Sequence, residues 1–123
     1  HFRQAIMPIA VLGLFQGAAL VRFVPPGRVF DKWIYSPWLS GELHPQLRHA
    51  GVDTIVVSGG ETDVCVLATV LGAIDLGYRV VVATDAICSS ADQPHDAAVD
   101  LYHTRFGMQV ETATVDAILR QWR

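Results

Sequence analysis

Cys65 stands in the run Val56-Val57-Ser58-Gly59-Gly60-Glu61-Thr62-Asp63-Val64-Cys65-Val66, and the residues around it suit a nucleophile. The run reads as a buried strand, a glycine turn and a helix start. The first turn of a helix offers backbone N–H groups without intrahelical partners and the positive end of the helix dipole; both favour thiolate over thiol. The same N–H groups can hold an oxyanion once sulfur has attacked a carbonyl. Gly59 and Gly60 permit backbone angles and close approaches closed to other residues, and Thr62 or Asp63 can cap the helix. A cysteine taken at random is more often a small apolar core residue. Its place after a strand-Gly-Gly turn favours the reactive reading for Cys65, while Cys88 follows the next strand on a loop and reads as a bystander.

Lys32 is the second candidate. It ends Val29-Phe30-Asp31-Lys32 and precedes Trp33-Ile34-Tyr35-Ser36-Pro37-Trp38. Most lysines are surface cations, but one at a strand end before an aromatic stretch is as well placed to serve a site. Trp33, Tyr35 and Trp38 are candidates for a substrate pocket, with simple core packing as the alternative. Asp63 reads as a cap or turn residue and Asp85 as a structural group beside the site. His44, His49, His95 and His103 show no metal-ligand spacing, so no metal and no cofactor is assigned.

These side chains need elements to bring them together. Residues 29–31 predict a short strand, Ser40 or Gly41 to His49 a helix, and Thr54 to Ser58 a strand. Asp63 to Leu76 predicts a helix with Val66, Val70, Ala73 and Ile74 at helical spacing. Arg79 to Thr84 is a β-branched run suited to burial on both faces of a parallel sheet. Pro94 fits the first turn of a helix that runs to about Phe106 before Gly107 stops it. Met108 to Glu111 predicts a last strand, and Thr114 an N-cap for a helix to Trp122. Such alternation predicts an open, mostly parallel sheet covered by helices, a three-layer α/β/α domain that binds ligands at the carboxyl ends of its strands. Lys32, Cys65 and Asp85 all fall at such ends.

The chain has 123 residues and 51% hydrophobic content, enough for one domain with a genuine core. A formal net charge of −3, from 9 basic and 12 acidic residues, gives no electrostatic footprint for nucleic acid or anionic lipid. With 2 cysteines no disulfide framework is implied, and a reduced cytoplasmic setting is expected. Ala5 to Val24 is mostly apolar, but Pro8, Gly13 and Gly17 interrupt it, and a buried or dangling segment is expected rather than a membrane anchor.

Several ordered pieces resemble the isochorismatase-like cysteine hydrolases, which include nicotinamidases, N-carbamoyl amidohydrolases and isochorismatases. They are Phe30-Asp31-Lys32-Trp33-Ile34-Tyr35-Ser36-Pro37-Trp38, Leu47 to Val57, Gly60-Glu61-Thr62-Asp63-Val64-Cys65-Val66, Ala68-Thr69, Asp75 to Val80, and Thr84-Asp85-Ala86 with His95 beyond. The resemblance implies an isochorismatase-like, Rossmann-like fold and hydrolysis of a small amide or carbamoyl C–N bond through a cysteine thioester. It makes Cys65 the nucleophile and Lys32 its supporting cation. It also implies a cis bond before Glu61, with Gly60 in the turn and the Glu61 and Cys65 N–H groups facing one oxygen. The family's third member, an aspartate at the end of the first strand, has no counterpart. Leu14 stands in its place, and no acidic residue precedes Asp31. Residues 1–28 are therefore expected to be an apolar leader that does not match the family, and residues 29–123 the C-terminal part of an N-terminally truncated domain that is inactive by itself. A small-molecule substrate and a homo-oligomer are expected, with neither nucleic acid nor membrane as partner. The other readings are a vinyl-ether hydrolase of isochorismate type, disfavoured by Cys65, and a noncatalytic relic or partner subunit, favoured by the missing acid.

Overall fold

The computed structural model describes residues 9–14, by their backbone alone, and residues 30–122. Four strands, β1 (Ile9–Leu14), β2 (Thr54–Gly60), β3 (Arg79–Cys88) and β4 (Val110–Ala113), form one sheet in chain order, every neighbouring pair parallel. The helices are α1 (Leu43–His49), α2 (Leu67–Asp75), α3 (Asp92–His103) and α4 (Val115–Gln121).

Alternation along the strands divides the core in two. Ile55, Val57, Val80 and Val82 join Leu43 of α1, Val70 and Ala73 of α2, and Ala98 and Tyr102 of α3. Val56, Val81 and Ala83 face the other way, onto Ile118 of α4. Helices cover both faces of a parallel sheet, the three-layer α/β/α architecture expected. Val57, Val80, Val81 and Val82 have no exposed surface, and burying each stabilises the fold by about 1.5–3 kcal/mol.

The elements differ from expectation in instructive places. Residues 30–32 form no strand, because no strand of the sheet lies beside them; residue 29 and the expected boundary at residue 28 lie outside the described residues. β1 belongs to the apolar first segment and takes the edge of the sheet, with Leu14 level with Gly59 of β2. The helix expected from Ser40 or Gly41 is split. A 3₁₀ turn, Pro37–Ser40, is capped by the Ser36 hydroxyl, which accepts from Trp38 N–H at 3.3 Å, and Gly41 at φ 79° breaks it from α1. β3 continues past Thr84 because its register jumps: Val57 pairs with Val82, but Gly59 pairs with Ile87 and Gly60 with Cys88. Cys88 therefore ends a strand rather than sitting on a loop. Thr114 caps α4 as expected, its hydroxyl accepting from Ala117 N–H at 3.2 Å.

Candidate active site

The chain leaves β2 at Gly60, and the bond from Gly60 to Glu61 is cis, as the resemblance implied. A π turn, Thr62–Val66, follows and leads into α2. Glu61 carbonyl accepts from Val64 N–H at 3.1 Å and from Val66 N–H at 3.0 Å. Cys65 is 8% exposed, within the larger core cluster, and its carbonyl accepts from the Thr69 hydroxyl at 2.7 Å.

Lys32 reaches this turn from an irregular segment. Its Nζ lies 3.6 Å from Cys65 Sγ and donates to Ile34 carbonyl at 2.9 Å. Trp38 fastens the segment to the core. Its Nε1 donates to Thr69 carbonyl at 2.9 Å, its ring stacks on Tyr78 with centroids 5.5 Å apart, and a Cβ at Gly72 would come 2.2 Å from its Cδ1. Trp33 and Tyr35, between Lys32 and this anchor, are exposed at 97% and 68%.

Two acids expected near the site have other partners. Asp63 is a turn residue, within Thr62–Val66, rather than a cap; its Oδ1 accepts from the Ser89 hydroxyl at 2.6 Å. Asp85 does not join Lys32 and Cys65. Its Oδ1 accepts from Val115 N–H at 2.8 Å, fastening the start of α4, because odd-numbered β3 residues such as Val81 and Ala83 face the α4 layer. Among the described residues no carboxylate is hydrogen bonded or ion paired to Lys32 or Cys65, and no three His, Cys, Asp or Glu side chains stand together as metal ligands.

Three side chains close on the turn: His95, which the resemblance included without a role, and Ser89 and Tyr102, which the sequence did not single out. Ser89 Oγ accepts from Thr62 N–H at 3.0 Å, His95 Nδ1 lies 2.8 Å from Thr62 Oγ1, and Tyr102 hydroxyl donates to Thr62 carbonyl at 2.9 Å. Burial, helped by the negative charge of Asp63, pushes the Tyr102 phenol well above its ordinary range, so its hydroxyl stays a donor at neutral pH. The signal in the sequence was faint: α3 puts His95 and Tyr102 seven residues apart, two helical turns along one face.

Comparison with known proteins bears on the same elements. Residues 15–114 match the model of the isochorismatase domain. An uncharacterized isochorismatase family protein of Bacillus subtilis is 35% identical over 80 residues, 65% of this chain and 41% of that protein. The nicotinamidase of Escherichia coli is 46% identical over 56 residues, 46% of this chain and 26% of that enzyme. Among solved structures, a nicotinamidase from Staphylococcus aureus superposes with a TM-score of 0.61 at 28% identity, over 68% of this chain and 52% of that one. The chain thus spans about half or less of the length of these relatives. With the family match running from just after β1 to the N-cap of α4, the chain belongs to the isochorismatase family.

Proposed function

We propose that the protein containing this chain is a cysteine hydrolase that opens a small amide or carbamoyl C–N bond through a Cys65 thioester. The observation that carries the reading is the ammonium of Lys32, 3.6 Å from a thiol at the first turn after a strand. Relatives with nicotinamidase activity in their names support the amide class. The Cys65 thiolate attacks the carbonyl carbon; a C–S bond forms as the C=O electron pair moves to oxygen. The oxyanion is held by the N–H groups of Glu61 and Cys65 at the Gly60 turn, and Lys32 stabilises the thiolate. Collapse of this intermediate breaks the C–N bond, an acid protonates the leaving nitrogen, and water then hydrolyses the thioester. Trp33 and Tyr35 are available as pocket walls beside Lys32, whereas Trp38 is committed to the core.

The acid is the missing part. No Asp or Glu precedes Asp31, Asp31 is exposed, and Asp63 and Asp85 are held by Ser89 and Val115. The 123 residues alone therefore give no measurable turnover, a state that a noncatalytic partner subunit would share. Position 14, at the carboxyl end of β1 and level with Gly59, is where Leu14→Asp would bring an acid to the ladder. The test is iodoacetamide labelling at neutral pH, followed by assay of the chain and of Leu14→Asp against nicotinamide and carbamoyl amino acids. Cys65 is expected to label well before Cys88, with turnover in the variant alone. Equal labelling of the two thiols would remove Cys65 as nucleophile.

A further inference from the structure

We infer that the stretch from Cys88 to Tyr102 is a clamp that sets the geometry of the nucleophile turn, and that Ser89, His95 and Tyr102 are positioning residues acting through Thr62. The inference rests on Cys65 being the nucleophile. Thr62 lies between Glu61 and Cys65 and has no exposed surface. Its three polar groups go to three different side chains of one stretch: its N–H to Ser89, its hydroxyl to His95 and its carbonyl to Tyr102. The Thr62 N–H belongs to the peptide plane joining Glu61 to Thr62, and the Thr62 carbonyl to the plane joining Thr62 to Asp63. Ser89 and Tyr102 therefore pin two successive peptide planes between the residues whose N–H groups would face the oxyanion, while His95 fixes the Thr62 side chain. Asp63 in turn accepts from the Ser89 hydroxyl and so directs the serine lone pair at Thr62 N–H. Cys88 closes the other end, since a Cβ at Gly60 would come 3.0 Å from Cys88 carbonyl and 3.3 Å from its sulfur.

Filling space at position 62 would need only a valine, which has nearly the shape of threonine. Valine removes the hydroxyl but leaves both peptide groups, so the set of variants separates positioning from packing. The experiment follows iodoacetamide labelling of the whole chain at fixed neutral pH by peptide-resolved mass spectrometry, with Cys88 as the internal reference and circular dichroism reporting the fold. In Thr62→Val, His95→Ala and Tyr102→Phe, labelling of Cys65 is expected to slow roughly threefold to tenfold, the loss of one buried hydrogen bond's worth of alignment. Thr62→Ser, which keeps the hydroxyl, is expected to stay within about twofold of the parent chain. If Thr62→Val fails to fold, Tyr102→Phe and His95→Ala decide, since one keeps the ring and the other changes a half-buried side chain. Folded variants that label Cys65 at the parent rate would overturn the clamp and leave the nucleophile standing. Should Cys65 label no faster than Cys88 in the parent chain itself, the nucleophile assignment falls and takes the clamp with it.

Discussion

Thr62, three residues before the thiol, is wholly buried and bonded through every polar group it has; Trp33, next to the lysine, is 97% exposed. The two halves of the site, which meet across 3.6 Å, are thus built in opposite ways. The Cys65 half is moulded by the core, with β2 beneath it, α2 behind it and the β3–α3 segment against its side. The Lys32 half is a strap with no ladder of its own, tied at one end by Phe30 packing on the core and at the other by Trp38. The geometry at Cys65 is therefore a property of the fold, and that at Lys32 a property of two anchors. Disturbing the core should damage stability and chemistry together, whereas disturbing the strap should damage chemistry with little cost to the fold.

Cys65→Ala should have the largest effect. It removes the reacting atom while replacing one small buried side chain by another, so an active form carrying this segment should lose about 10⁴-fold or more in kcat with its fold retained. Turnover within tenfold of the parent would rule out covalent catalysis. Gly72→Ala comes next. The added methyl would overlap Trp38, and overpacking of this kind costs about 1–3 kcal/mol, measurable as a lower urea midpoint. Because Trp38 anchors the strap, Cys65 labelling should slow as well; a stability loss with unchanged labelling would show that the strap holds without its anchor. Lys32→Met sharpens the contrast from the other side. It removes a charge-assisted bond to sulfur, so labelling of Cys65 should slow roughly tenfold, while stability stays within about 0.5 kcal/mol. Labelling unchanged in Lys32→Met would remove the lysine from the site.

The contrast also explains what could be read from the sequence. The moulded half was legible because its pattern is local: a β-branched strand, two glycines and a helix start lie within Val56 to Val66. Lys32 and Cys65 were paired by resemblance, and their side chains do meet. The shell around the turn was legible only as His95, without its partner, because Ser89, His95 and Tyr102 reach Thr62 only through the fold of β3 onto α3. The register jump after Val82 was hidden for the same reason, since a bulge depends on the neighbouring strand and leaves no mark on strand propensity. Phe30 and Asp31 form no strand although Val29-Phe30 has strand-like residue types, because type alone cannot say whether a partner strand is present. Asp85 shows the limit of reading strand ends as a site. It lies in a late, bulged part of β3, and alternation turns it to the α4 side.

The smallest effect is expected at the opposite end of the sheet from Cys88, where the strap and the mould have no part. Arg79, the first residue of β3, holds Glu111 of β4 through two bonds, Nε to Oε1 at 2.5 Å and Nη2 to Oε2 at 2.7 Å. The hydrogen bonds from Arg79 hold the Glu111 carboxyl below its usual range, against a smaller opposing effect of burial. A carboxyl held low in the folded state binds its proton more readily when unfolded. Its contribution is therefore present above the ordinary glutamate range near pH 4.3 and is lost as pH falls through the lower folded value. Both side chains are partly exposed, at 31% and 51%, so screening by water limits the pair to about 0.2–1 kcal/mol. Glu111→Gln should lower the urea midpoint slightly at neutral pH, the gap to the parent should close as acid carries the pH below the ordinary glutamate range and through the lower folded value, and Cys65 labelling should not change. A gap that widened on acidification would mean that Glu111 is stabilised in its protonated form. A change in Cys65 labelling would show that the amino end of the sheet is coupled to the turn, and would break the separation of mould from strap.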